Sequence, residues 1–268
     1  MAAGADQPAR VWLALDCASQ RDAALHVAAA LAHGSGAELA CVFVEDVDLL
    51  RLAGLPLAAE TSLLSARSRP LAAGDLERQL RGQAAGIEAD VAKLARGAGV
   101  AWSFQVRRGK PLAEALNLAT HAGPLVIPGR ALAPRVAPRR ANPAIRATAT
   151  RGTGARPAGG SLLLLLDGTP DTAALLQLAG RLALNQHAML EIVVTDAAHL
   201  DRAQLQALET PGLRVVIHRQ AAPQPARIAA QARLSDVRLV LSSRAVLPLE
   251  EAVLHALMLE LSCPLVLA

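Results

Sequence analysis

The stretch from Leu13 to Glu45 recurs, without a gap, from Leu164 to Asp196. Laying LALDCASQRDAALHVAAALAHGSGAELACVFVE over LLLDGTPDTAALLQLAGRLALNQHAMLEIVVTD pairs Leu13 with Leu164, Leu15 with Leu166, Asp16 with Asp167, Ala28 with Ala179, Leu31 with Leu182 and Val42 with Val193. A chain this rich in Ala and Leu matches some positions by chance. Chance does not readily place an aspartate at the same junction between the same two patterns. A repeat of this kind constrains the fold before any other feature does.

The two patterns are a buried strand and an amphipathic helix. Val11–Leu15 and Leu162–Leu166 are short, continuous apolar runs, as strands covered on both faces require. After each, apolar residues recur at helical spacing: Ala24, Val27, Ala28 and Leu31, then Leu175, Leu178, Ala179 and Leu182. Asp22 and Asp171 suit the helix starts, and Gly34, Gly36 and Asn185 suit the exits. Strand-like Leu39–Val44 and Leu190–Thr195 follow.

Each half continues the alternation. The first half predicts a helix over Asp75–Arg96, a strand over Val100–Val106, a helix over Pro111–His121 and a strand over Leu125–Ile127. The second predicts a helix over Leu200–Leu208, a strand over Leu213–His218, a helix over Ala226–Leu234 and a strand over Val237–Leu241. A helix over Leu249–Leu261 and a strand over Pro264–Leu267 close it. The fold class is therefore α/β: two tandem, Rossmann-like domains, each a doubly wound parallel sheet with right-handed crossovers. The first domain is placed at 1–150 and the second at 161–268. Residues 130–160 form an Arg/Pro-rich linker or the remnant of the first domain's last helix and strand, with Ile145–Thr150 a candidate strand.

Asp16 and Asp167 then fall at the carboxyl ends of first strands, where open α/β sheets place their ligand crevice. An Asp there also caps the turn that follows it, through its own backbone. Both roles stay open for these two residues.

The motif LDGTPD, Leu166 to Asp171, resembles the opening signature of the universal stress protein family, and LDCASQ is a looser match. The lead Gly-Ala-Glu-Leu at Gly36–Leu39 and the ending SCPLVLA at Ser262–Ala268 resemble that family too. The likeness covers nearly the whole chain as two copies, outside the arginine segment and the insertion at Asp46–Gly74. It implies an adenine-side pocket at Asp16 or at Asp167, Gly168 and Thr169. It also implies a phosphate loop after each fourth strand, built from glycines whose N–H groups approach an anion closely.

That loop is broken here. IPGRALAPRVAPRRANPA keeps Gly129, but Leu132 stands at the second glycine position and Asn142 and Pro143 at the last two. LSSRAVLPLEEAVLHA has no glycine at all, and prolines at 134, 138 and 143 remove N–H donors from the first loop. Tight ATP binding is therefore not expected, and no cofactor is assigned. Ser242, Ser243 and Arg244, after the second copy's fourth strand, are a candidate small-anion site or a solvated turn.

Chemistry-bearing patterns are otherwise missing. No nucleophile elbow, HExxH helix, Walker loop or dinucleotide fingerprint occurs, so the chain is read as a non-enzyme with no catalytic residues. His26 and His33 lie two helical turns apart, too far to share an ion, and Cys17, Cys41 and Cys263 form no CxxC pattern. Three scattered cysteines and no apolar run near a membrane span's length are read as a cytoplasmic protein. Two Phe, two Trp and no Tyr leave no base-stacking platform, so nucleic-acid binding is not expected.

Charge is localised. Residues 130–160 hold seven arginines and no acidic residue, and the rest of the chain sums to −3 against the total of +4. The segment is read as a solvated tether, with an acidic partner as the alternative. The insertion VEDVDLLRLAGLPLAAETSLLSARSRPLAAGD is long for a crossover and carries the apolar residues Leu49, Leu50, Leu52, Leu55, Leu57, Leu63 and Leu64. Packing onto its own domain is the first reading, with a crevice cover or a homodimer contact as alternatives. The resulting expectation is a universal-stress-protein-like regulatory or protective protein acting on an unidentified protein partner. A nucleotide (ATP or AMP) sensor and a weak nucleotide hydrolase are the alternatives.

Overall fold

The computed structural model describes residues 9–61, 65–130, 160–166, 172–195, 200, 204, 206, 208–220, 224–247 and 250–268. The chain divides into two compact units, Met1–Leu125 and Val126–Ala268. Residues 131–159, in which the expected domain boundary, linker and Ile145–Thr150 strand fall, lie outside the described residues.

In the first unit, β1 (Arg10–Leu15) is paired in parallel with β2 (Glu38–Asp46), and β2 with β5 (Trp102–Gly109). The strand order is therefore β5-β2-β1, reversed against the chain, as successive crossovers in one direction produce. Val11, Leu13, Ala14 and Leu15 are buried, as a central strand requires. On the other edge of β1 the Trp12 N–H donates to the Pro124 carbonyl, 2.8 Å. β6, Leu125–Ile127, spans the boundary between the units.

Helices α1 (Arg21–Ser35) and α3 (Ala73–Ala98) cover this sheet. α1 turns Ala24, Leu25, Val27, Ala28, Leu31 and Ala32 inward, and α3 turns Leu76, Leu80, Ala84, Ile87, Val91 and Ala95 inward. These are the spacings of a single helical face. Both helices stop at a glycine in the left-handed region, Gly36 at φ 64° and Gly99 at φ 66°, where a Cβ would be strained. α4 (Pro111–Ala119) opens on a proline, whose missing N–H is no loss in a first turn.

The insertion builds its own pieces. α2 (Val47–Ala53) starts at Asp46, whose carboxylate accepts from the Asp48 N–H at 2.9 Å and from the Leu49 N–H. β3 (Ala59–Thr61) and β4 (Ser68–Pro70) form a small antiparallel hairpin, with Arg69 paired to Glu60. The reading that its leucines pack onto their own domain fails for three of them. Ala53 is buried, but Leu52, Leu55 and Leu57 are 49%, 57% and 96% exposed. α2 is only seven residues long and offers the domain a narrow apolar stripe, so these leucines are left outside it. Leu63 and Leu64 lie outside the described residues.

The second unit contains β7 (Ser161–Leu166), α5 (Thr172–Asn185), β8 (Met189–Thr195), β9 (Val215–Gln220), α6 (Pro225–Leu234), β10 (Val237–Ser242), α7 (Glu251–Glu260) and β11 (Leu265–Leu267). All its pairings are parallel, in the order β11-β10-β7-β8-β9. The chain steps outward from β7 to β9, then α6 carries it back across to β10. Right-handed crossovers in opposite directions put α5 and α6 on opposite faces, so this sheet is doubly wound. Every residue of β7 is buried. After α5 the residue in the left-handed region is His187, at φ 50°, rather than Asn185, which remains helical. Most of the Leu200–Leu208 helix expectation lies outside the described residues. No described helix is long and apolar enough to cross a membrane.

Candidate functional site

In the first unit the carboxyl ends of β1 and β2 carry the polar groups. Asp16 follows directly on β1, and its side chain closes the turn onto α1. Oδ1 accepts from the Ala18 N–H at 3.0 Å and from the Ser19 hydroxyl at 2.7 Å, while the Asp16 N–H donates to Ser19 Oγ at 2.9 Å. The reciprocal Asp–Ser arrangement holds the chain in the shape that α1 needs. One of Asp16's two roles, capping its own turn, is thus occupied. Cys17, within that turn, is exposed.

At the end of β2, Glu45 is buried and faces Arg108 of β5, which its register sets directly opposite. Arg108 Nε donates to Glu45 Oε2 at 2.8 Å, and its Nη2 stands 3.4 Å from Glu77. Those two carboxylates, Glu45 foremost, raise the guanidinium's pKa above its ordinary value. Arg107 pairs with Glu114 at 3.5 Å. The cations at this edge are therefore met by carboxylates of the protein itself.

Gly129 lies against backbone. A Cβ built there would fall 2.7 Å from the Cys263 nitrogen and the Ser262 carbonyl carbon, and 2.8 Å from the Cys263 oxygen. The next N–H, of Arg130, donates to the Leu261 carbonyl at 3.2 Å. The glycine is thus demanded by close packing of its strand exit on Leu261–Cys263.

In the second unit, Asp167, Gly168 and Thr169 lie outside the described residues. Ser242, Ser243 and Arg244 are described, and the two serines are buried. The Ser242 hydroxyl donates to the Ser243 carbonyl at 2.9 Å, and Ser243 Oγ accepts from the Val246 N–H at 3.3 Å. The Arg244 N–H donates to the Ala268 carbonyl, and the Ala268 N–H to the Ser242 carbonyl at 3.0 Å, so the last residue brackets the turn. Burial pulls the Arg244 pKa down. Both hydroxyls help to hold the turn, and the two serines are buried rather than part of a solvated loop.

A cluster that sequence reasoning missed lies deeper in this unit. Glu191, on β8, is 2% exposed. Its Oε2 accepts from Gln231 Nε2 at 2.7 Å and from the Ser235 hydroxyl at 2.8 Å, and His218 Nε2 stands 3.4 Å away. Gln231 Nε2 also donates to Ser235 Oγ at 3.0 Å. Burial pushes the Glu191 carboxyl up, but the polar surroundings of His218, Gln231, Ser235 and Ser161 together outweigh it. The carboxyl is held below the ordinary range. The signal was a lone acid inside the apolar run LEIVVT, but its partners come from another strand and a helix some 40 residues on.

Among the described residues no three His, Cys, Asp or Glu side chains gather as metal ligands. No family model matches the chain, and no curated protein matches it either. Among solved structures it is similar to a universal stress protein from Archaeoglobus fulgidus, with 11% identity, a TM-score of 0.48, and 96% of this chain and 95% of that one covered. It is also similar to a functionally unknown protein from Pseudomonas aeruginosa, with 12% identity, a TM-score of 0.44, and 98% and 92% covered.

Proposed function

We propose that the chain is a universal-stress-protein-like regulatory or protective protein that acts by binding a partner, without turnover and without tight ATP binding. The sequence resemblance supports the family reading: the LDGTPD signature, the repeated strand–Asp–helix–strand pattern and the SCPLVLA ending. The order of the first three strands that each unit gives to its parallel sheet supports the duplication. It reads β5-β2-β1 in one unit and β9-β8-β7 in the other, third-second-first in both.

One observation carries the argument against a phosphate cradle. Gly129, the glycine that remains of the first loop, is accounted for by its packing on the backbone of Ser262 and Cys263. A phosphate loop needs several free N–H groups beside a helix start, whereas here the Arg130 N–H is given to Leu261. Partner binding is supported by the leucines that the insertion leaves exposed.

The test is a thermal-shift titration of the full chain with ATP, AMP and cyclic nucleotides to millimolar concentration. A flat response supports the binding module. A saturable rise in Tm that disappears in Asp167→Ala overturns it in favour of a nucleotide sensor. Phosphate release above background, abolished by a point substitution, overturns the reading of a protein without turnover.

A further inference from the structure

Along β8 the side chains of Glu191, Val193 and Thr195 point to one face, and those of Val216, His218 and Gln220 lie beside them in register. α6 covers the Glu191 end of this stripe through Gln231 and Ser235. Toward the carboxyl end Thr195 and His218 are buried and Gln220 is half-buried, and the hydrogen bonds stop. Thr195 Oγ1, Gln220 Oε1 and His218 Nδ1 are each shut off from solvent and bonded to nothing in the protein. Thr195 and His218 are 9% and 8% exposed.

Such groups are rare in folded chains, because a buried polar atom without a protein partner needs a water or a ligand to complete it. Three of them adjoin. Thr195 and Gln220 are register partners on strands about 4.8 Å apart, with His218 two residues back, about 6.6 Å along the strand. They lie at the carboxyl end of a parallel sheet, where open α/β folds present side chains to ligands.

We propose that Thr195, Gln220 and His218 form a binding site for a small molecule rich in N–H or O–H donors, an amine or a polyol. The polarity of the stripe selects that class. Gln220 Oε1 can only accept a hydrogen bond, while the Thr195 hydroxyl and the imidazole can serve in either sense. The acid on this face is Glu191, and the groups that hold it are the polar side chains of His218, Gln231, Ser235 and Ser161. An anion would be repelled by that carboxylate. A hydrocarbon would leave all three groups unsatisfied. A donor-bearing molecule of a few heavy atoms completes them and is drawn toward Glu191 if it is cationic.

The experiment uses the full-length protein with ethanolamine, glycerol and inorganic phosphate as probes, read by calorimetric titration and by Tm. The expected result is a saturable response to ethanolamine or glycerol and none to phosphate, with the tighter of the two assigning amine or polyol. Thr195→Val and Gln220→Met should weaken that response at least tenfold while leaving the probe-free Tm unchanged or higher, because each deletes a buried group that had no partner. A purely structural role predicts the reverse for Tm. The proposal is overturned if neither ethanolamine nor glycerol saturates, as internal water alone would give. Saturable binding of phosphate, or a lower probe-free Tm in Thr195→Val, overturns it equally.

Discussion

An alanine methyl at position 129 would meet the Cys263 nitrogen at 2.7 Å, a backbone atom that cannot swing aside as a side-chain tip can. Gly129→Ala is therefore expected to destabilise the second unit by about 1–3 kcal/mol, as overpacking does, measured by urea denaturation. A glycine kept only for an anion would leave stability unchanged on the same substitution. The cysteines give a second reading at this scale. Cys41 and Cys263 are buried, and burial pushes both thiols up to about 12, while Cys17 is exposed in the turn after β1. Iodoacetamide at pH 8 should alkylate Cys17 in the folded chain and reach Cys41 and Cys263 only after denaturation, because the thiolate is the nucleophile. Peptide mapping by mass spectrometry checks the order; early labelling of Cys263 would contradict its packing against Gly129.

At the scale of elements, β8, β9 and α6 are tied together by the Glu191 cluster. Its carboxyl is held below the ordinary carboxylate range in the fold, so the folded state holds its proton less tightly than the unfolded chain does. The stabilisation is thus present above the unfolded value, about pH 4.3, and lost as pH falls through the lower folded value. Glu191→Gln should flatten that part of the acid-denaturation curve, and a curve identical to wild type would show that Glu191 contributes nothing to acid stability. Elements made by local pattern were legible in the chain itself: β1 and β7 by continuous apolar runs, α1, α3 and α5 by helical spacing, and α4 by its leading proline. Elements that depend on a partner were not. The β3–β4 hairpin is three residues a side without alternation, and α2 owes its start to Asp46. The cluster needed α6 to deliver Gln231 and Ser235 to a strand far away in sequence. The site residues divide on the same line: Asp16 could be placed at its strand end, but whether its oxygen faced a ligand or Ala18 and Ser19 depended on turn geometry.

At the scale of the whole molecule, the question is what the chain offers a partner once its buried groups are accounted for. Over half of its residues are apolar, and among the described residues the central strands of both units and the inward faces of their helices are buried. The insertion breaks that economy by leaving Leu52, Leu55 and Leu57 in solvent next to one another in sequence, with Leu57 almost fully exposed. Single exposed leucines are ordinary on a protein surface, but several on one short segment mark a place for contact. If they serve contact and not folding, Leu55→Ser combined with Leu57→Ser should change stability by no more than about 0.5 kcal/mol, because Leu57 stays in water when the chain folds and Leu55 leaves it only in part. The same pair should lower the fluorescence of a surface-binding dye such as ANS and reduce recovery of whatever the wild-type chain retains in a pull-down. A loss of stability beyond about 1 kcal/mol would mean that the segment packs on its own unit after all. Unchanged dye binding would place the contact surface elsewhere.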